Sequence, residues 1–300
     1  MLLQTWLDEQ SSLSEFLTTR EVADLLRLKQ RKVYDLAARN IIPCVKATGK
    51  LLFPKTEINR WIQHKGAYLA ETAPRPSVIL GSHDPLFEWT ITASGCGLPT
   101  FFNGSLDGFM RFRNREGVAC GIHTQNPDLK DWNTSLVESY LKQSPSVLVH
   151  WAKRERGLLT KEGSGISNIE DTIGKRLVAR QAGAGAQELF EKQLNLAGIG
   201  VDSVNFVRTV QTETEAALSV LEGEADSCFG LRCFADRYNL DFLSVCEEYF
   251  DLVIDRHAYF EEGLQTLFEF TKNDRFGAEV GRYGGYNISG LGEVRMNGCL

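Results

Sequence analysis

Two short stretches carry residue types from which a small-molecule site could be built. Gly81-Ser82-His83-Asp84 offers a hydroxyl, an imidazole and a carboxylate after an apolar run, Val78-Ile79-Leu80. Arg180-Gln181-Ala182-Gly183-Ala184-Gly185 follows a second apolar run, Leu177-Val178-Ala179, and leaves almost no side chain before a helical pattern opens at Ala186. Small residues there allow backbone N–H groups to approach a ligand, and the first N–H groups of a helix have no partner inside it. The alternative is that they only let helix and strand pack closely. Lys29-Gln30-Arg31-Lys32 is chemistry of another kind, three cations and an amide at the start of a short helical pattern. The helix macrodipole disfavours cations there, and that cost suits a surface built to meet phosphate. A solvated basic face is the alternative reading.

Other chemistries find no anchor. The chain has no Gly-x-Ser-x-Gly, no Walker A sequence and no Gly-x-Gly-x-x-Gly, so the nucleophile elbow and the two commonest nucleotide cradles are excluded. His83-Asp84 reads as a structural pair, and the chain is not expected to be an enzyme. The seven cysteines (44, 96, 120, 228, 233, 246, 299) form no Cys-x-x-Cys. They suit reduced thiols in a cytoplasmic protein better than disulfides or a metal site. No basic start and apolar run marks a signal peptide, and no stretch approaches the ~20 apolar residues of a membrane span.

The elements that must position these residues follow from periodicity. Thr18 and Glu21 form a capping box, so a helix should begin near Thr19 with Val22, Leu25 and Leu26 inward. A second should run from Gln30 to Arg39 with Val33, Leu36 and Ala37 inward. Two short strands around Thr48-Gly49 read as a hairpin that Pro54 ends, before a last helix from Thr56 with Ile58, Trp61 and Ile62. Residues 67–77, small and proline-bearing, read as a linker. Strand and helix patterns then alternate, which predicts an α/β body with mainly parallel sheets. Charge divides the same way: residues 1–70 hold 11 Lys/Arg against 7 Asp/Glu, within a chain of net charge −6. A basic head on an acidic body predicts that only the head meets nucleic acid.

Over about fifty residues the head resembles the excisionase-type winged helix-turn-helix family. Leu17-Thr18, Glu21-Val22-Ala23, Leu25-Leu26, Val33-Tyr34, Ile42-Pro43, Gly49-Lys50, Pro54 and Trp61 carry the likeness. The family's Gly-Val-Ser turn is here Arg27-Leu28-Lys29, which loses a turn glycine and a capping serine and adds charge. The resemblance implies double-stranded DNA as partner. Gln30 and Arg31 are then expected to read bases, with Lys29, Lys32, Lys46 and Lys50 on phosphates and Tyr34 on the same face.

From about residue 77 to 298 the chain resembles the substrate-binding-like domain fused to helix-turn-helix regulators, related to periplasmic molybdate-binding proteins. Gly81-Ser82-His83-Asp84-Pro85, Ser94-Gly95-Cys96-Gly97-Leu98-Pro99, Gly104-Ser105-Leu106-Asp107-Gly108, Ala119 to His123, Gly174-Lys175-Arg176, Arg180-Gln181 and GGYNISGLGEVRMN (284–297) carry it. It implies a two-lobed, type II periplasmic-binding-protein-like fold, with crossing strands near VLVHW and EEYFDLVIDR. The implied ligand residues are Ser82, His83, Asp84, Ser94, Gln181, Gly183, Ala184, Gly185 and Tyr249, the last through its hydroxyl. Ser82 and Ser94 could equally be helix caps, and Tyr249 and His123 core residues. The family's Gly-Ser-Gly-Thr-Arg loop is here Gly183-Ala184-Gly185-Ala186-Gln187, so two hydroxyl donors and a guanidinium are gone.

The expected organisation is a DNA-binding head (1–66), the linker (67–77) and a two-lobed sensor (78–300). The expected function is a cytoplasmic, homodimeric, ligand-responsive transcriptional regulator without resident cofactor. Its solute would be a molybdate- or tungstate-like oxyanion, or else a small organic ligand. A solute sensor without DNA binding, specific for a small organic acid, is the rival; an enzyme using His83 and Asp84 is a third reading.

Overall fold

The computed structural model describes residues 15–39, 41–47, 49–59, 61, 74–126, 131–142 and 144–298. Thr48, Ile62, linker residues 67–73 and Cys299 lie outside the described residues. The chain divides into two units, one up to Pro74 and one from Arg75.

The head contains β1 (Phe16–Thr18), α1 (Thr19–Leu25), α2 (Gln30–Ala38), β2 (Val45–Ala47) and β3 (Lys50–Pro54). The capping box forms: Thr18 Oγ1 accepts from Glu21 N and Glu21 accepts from Thr18 N at 2.7 Å. Val22, Ala23, Val33, Ala37, Ile42, Phe53 and Ile58 make the core. The hairpin closes as expected, and β1 adds a third antiparallel strand on β3, giving the order β1-β3-β2. The periodicity did not show β1, because three residues are too few to display alternation. Residues 55–59 and 61 are helical, and Trp61 Nε1 donates to the Ile41 carbonyl at 2.6 Å.

The body opens with β4 (Ile79–Gly81), α3 (Pro85–Ser94), β5 (Thr100–Phe102), α4 (Ser105–Arg113) and β6 (Ala119–Ile122). The small hairpin β7 (Gln125–Asn126) and β8 (Asp131–Trp132) leads to α5 (Thr134–Leu141) and the long β9 (Ser146–Thr160). The second lobe follows with β10 (Arg176–Arg180), α6 (Gly185–Leu196), β11 (Asn205–Val210), α7 (Glu213–Glu222), β12 (Ser227–Leu231) and α8 (Arg232–Tyr238). The long β13 (Asp241–Asp255) returns to the first lobe, where α9 (Glu262–Phe270), α10 (Asp274–Tyr283), β14 (Tyr286–Asn287) and β15 (Val294–Asn297) close the described chain.

Apart from the β7–β8 hairpin, which is a sheet of its own, these strands form one ten-stranded sheet, ordered β11-β10-β12-β9-β13-β6-β4-β5, with β14 and β15 on β9. Within each lobe the outer strands are parallel, as expected: β4 with β5 and β6, and β10 with β11 and β12. Between the lobes the expectation of parallel sheet fails. The crossing strands β9 and β13 are antiparallel to each other, and each joins its lobe by an antiparallel edge. They are the two long segments expected to cross. In the first lobe, Gly81 and Gly108 carry the contact of α4 on β4: a Cβ on Gly108 would fall 2.2 Å from the Gly81 Cα. Arg75, at the end of the expected linker, is anchored in the body by Asp255 at 2.9 Å.

Candidate functional site

All seven expected DNA-binding residues of the head are exposed. One groove between α2 and the wing is bordered by Gln30, Tyr34, Lys46 and Lys50, joined by Arg20, which the sequence reading did not single out. Gln30 and Tyr34 share a helix face at i, i+4 spacing. Lys29 is the N-cap of α2 and has no side-chain cap bond, and Arg27 stands in the turn at φ +52°. The missing serine and glycine therefore leave their mark on the backbone. Lys32 approaches Asp35 at 3.5 Å on the next face.

In the body, Asp84 caps α3 by accepting from Phe87 N at 2.7 Å, and Pro85 starts the helix. Its other oxygen accepts from Arg154 Nη1 at 2.9 Å and from the Tyr286 hydroxyl at 2.6 Å. Arg154 reaches onward to Glu248 at 2.5 Å. Arg156 donates from Nη2 to Glu248 at 2.8 Å and to Glu213 at 2.9 Å. Arg180 lies 3.7 Å from Glu213, and His123 Nδ1 lies 3.1 Å from Glu248. The crossing strands build this chain of contacts. Arg154 and Arg156 are two apart on β9, hence on one face, and Glu248 on β13 stands directly opposite Arg154. Asp84 and Glu213 reach in from the starts of helices on opposite lobes.

The network is fully buried at its centre: Arg154, Arg156, Glu248 and Asp84 have at most 1% of their surface exposed. Burial pushes the Glu248 carboxyl up, but Arg154, Arg156 and His123 overcome it and hold the group well below the ordinary carboxylate range. Glu213 is also held low, against burial, by Arg156 and then Arg180 and Arg154. Burial lowers the His123 imidazole despite Glu248, so the ring is neutral near pH 7. A carboxylate can only accept, so Nδ1 carries the proton. Burial and the neighbouring Asp84 carboxylate raise the Tyr286 phenol, which stays a donor. The three arginines face the three carboxylates Asp84, Glu248 and Glu213, and the charges balance.

The structure distributes the other expected ligand residues. Ser82 Oγ is buried 2.9 Å from Ser105 Oγ, below the strand end. His83 turns outward to Glu88 at 3.0 Å, so His83 and Asp84 engage different partners. Ser94 is not brought to the network: its Oγ donates to the Ile91 carbonyl at the far end of α3 from Asp84. Tyr249 is not brought to it either. It follows Glu248 on β13 and so leaves the opposite face, with Lys153 and Arg295 against its ring. The hydroxyl that enters the network is that of Tyr286. Gln181 ties β10 to β11 through its N–H on the Val210 carbonyl at 3.2 Å. Gly183 is an exposed turn residue at φ +78°, Ala184 is the N-cap of α6, and Gly185 abuts His123. That junction edges a cleft of about 470 Å³ between His123, Thr124 and Trp132 of one lobe and Glu188 and Lys192 of the other. Lys192 crosses it to Gln125 at 2.8 Å.

Sequence reasoning missed Arg154, Arg156, Glu213 and Glu248. The available signal was the Arg154-Glu155-Arg156 run inside a 15-residue strand that is otherwise largely apolar, since a charge in such a strand needs a buried partner.

Two lobes on crossing antiparallel strands, with polar side chains converging between them, define the class. The chain belongs to the PBP superfamily domain family, whose model matches residues 90–272, and a helix-turn-helix domain model matches residues 16–66. Among individual proteins, "Uncharacterized protein YvgK" of Bacillus subtilis (strain 168) is 23% identical over 299 residues, 92% of this chain and 96% of that protein. A putative phosphate ABC transporter substrate-binding protein from Clostridium perfringens, solved with bound phosphate, is similar in fold. Its TM-score is 0.51 at 14% identity, over 71% of this chain and 98% of that one. The CcmR regulatory domain of Synechocystis PCC6803 in complex with 2-PG has a TM-score of 0.49 at 9% identity, over 65% and 94%.

Proposed function

We propose that this chain is a ligand-responsive, DNA-binding regulator of transcription. One observation carries the reading. A single chain joins a winged head, whose exposed Gln30, Tyr34, Lys46 and Lys50 border one groove, to a two-lobed body with a cleft between its lobes. Gln30 and Arg31 read bases, while Lys29, Lys32, Lys46 and Lys50 hold phosphates. Two heads of a homodimer meet a two-fold operator. A solute that favours one arrangement of the lobes changes how the heads present themselves, because it shifts the population toward the state it binds better. The setting is cytoplasmic, where DNA is met. An oxyanion of the molybdate and tungstate type is the solute that the family likeness favours, and the buried arginines between the lobes, Arg154, Arg156 and Arg180, are the groups it would meet.

The experiment measures fluorescence anisotropy of the full-length chain on DNA selected from a random pool, with sedimentation to count subunits. A thermal-shift series over molybdate, tungstate, sulfate, phosphate and small organic acids runs beside it. Sequence-selective binding by a dimer, altered by one of these solutes, is expected. A chain that binds a solute but no DNA at low salt would return the reading to a sensor of a small organic acid. The described residues include no helix long and apolar enough to cross a membrane.

A further inference from the structure

In open α/β sheets a ligand anion sits beyond the carboxyl ends of strands, against helix N-termini. Here two such places face each other, β4 leading to α3 and β11 leading to α7. Both already hold a carboxylate of the chain itself, Asp84 and Glu213. Between them, Arg154 and Arg156 converge on a third, Glu248, with His123 as a further donor. We propose that Glu248 is a tethered anion. It fills the position where the lobes would hold the anionic group of a solute, and it keeps the cleft closed without one. An anionic solute then binds only by displacing it. This rests on the solute-sensor reading above and specifies how that site is regulated.

Three observations support this assignment. Glu248 is gripped as a free carboxylate would be, by two guanidiniums and an imidazole N–H, at 2.5, 2.8 and 3.1 Å. Its clasp spans the two lobes: Arg154 is bound to Asp84 of one and Arg156 to Glu213 of the other. Within the clasp itself the three arginines are matched by three carboxylates. Yet donors remain. Arg154 Nε, Arg156 Nε, Arg156 Nη1 and Arg180 Nε are buried without a hydrogen-bond partner. Such unpaired donors are costly, and a solute anion with several oxygens offers more acceptors than one glutamate.

The test removes the tether and supplies the anion. In the full-length chain, Glu248→Ala leaves a carboxylate-sized space lined by Arg154, Arg156 and His123. It is expected to lower the unfolding midpoint. Formate, acetate and inorganic phosphate should then raise the midpoint in a saturable way that sodium chloride of equal ionic strength does not reproduce. The unaltered chain should respond to formate much less than the variant. Should the alanine variant not fold, Glu248→Ser leaves nearly the same space and carries the same comparison. Two results overturn the proposal: a variant that gains nothing from these anions beyond chloride, or an unaltered chain that they stabilise as strongly as the variant. Formate recovery reads the anion position alone, so it is expected even if no natural solute exists. If formate fails while another solute shifts the unaltered chain, the sensor reading stands and the tether is disproved.

Discussion

Gly185, the first residue of α6, lies so close to the His123 ring that an added Cβ would stand 3.0 Å from Cε1. What approaches the small-residue loop is thus a side chain of the other lobe. Gly185→Val should push His123 off Glu248 and cost about 1–3 kcal/mol, the usual range for overpacking. Ala184→Ser acts oppositely. It places a hydroxyl at an N-cap that has no side-chain bond, and should stabilise by about 1 kcal/mol. Urea unfolding of both variants checks this, and a Gly185→Val variant as stable as the parent would show that the contact is slack.

Arg156 is shared between Glu213 and Glu248. Arg156→Met keeps much of its volume and strands two carboxylates. The expected loss is about 3–5 kcal/mol, as when one partner leaves a buried ion pair. A loss below about 1 kcal/mol in chemical denaturation would mean that water reaches the network freely.

Acid should weaken the protein in two stages. His123 is held below its ordinary 6.5, and Glu213 and Glu248 below 4.5. For each group the unfolded chain takes up its proton first as pH falls, so stability present above the ordinary value is lost below it. The urea midpoint should start to fall below about pH 6.5 and drop more steeply below about 4.5. His123→Gln should flatten the first stage only. A midpoint that is level from pH 7 to 4 would contradict the buried network.

Two substitutions should stabilise the head. Arg27 occupies the left-handed region at φ +52°, so Arg27→Gly should gain about 1 kcal/mol. Lys29→Ser supplies the absent cap of α2, for about another 1 kcal/mol. The same Lys29→Ser change should weaken DNA binding and lower the salt slope by about one unit. Unfolding and salt-titrated anisotropy measure the two effects, and unchanged head stability in both variants would count against this turn geometry.

Base reading and phosphate holding separate in binding. Arg31→Ala should cost about 1–3 kcal/mol and relax base preference, whereas Lys50→Ala should weaken all sequences alike. Selection from a random DNA pool decides: an Arg31→Ala variant that recovers the parent's operator would move base reading to another residue, with Gln30 and Tyr34 the next candidates on the groove face.

Interactions that reach only a few residues were legible in the sequence. The Thr18–Glu21 capping box, the wing around Gly49 and the alternation of strands with helices depend on local turns and periodicities. All of them appear where the sequence placed them. Motif likeness grouped Asp84 with Ser94 and Tyr249, and the structure places only Asp84 among the buried ion pairs. A motif does not say which end of a helix or which face of a strand looks inward. The clasp itself could be read only from the tertiary structure. Arg154 and Glu248 are 94 residues apart, and Tyr286 and Asp84 are 202 apart. The first pair meets because the antiparallel register of β9 and β13 sets Glu248 opposite Arg154, the second because β14 lies on β9 with Tyr286 opposite Arg154, which also holds Asp84. In the sequence the Arg154-Glu155-Arg156 run signals that a partner is needed, but nothing there names the partner. A buried charge is tolerated only with its partners in place, and the folded sheet alone decides whether they are.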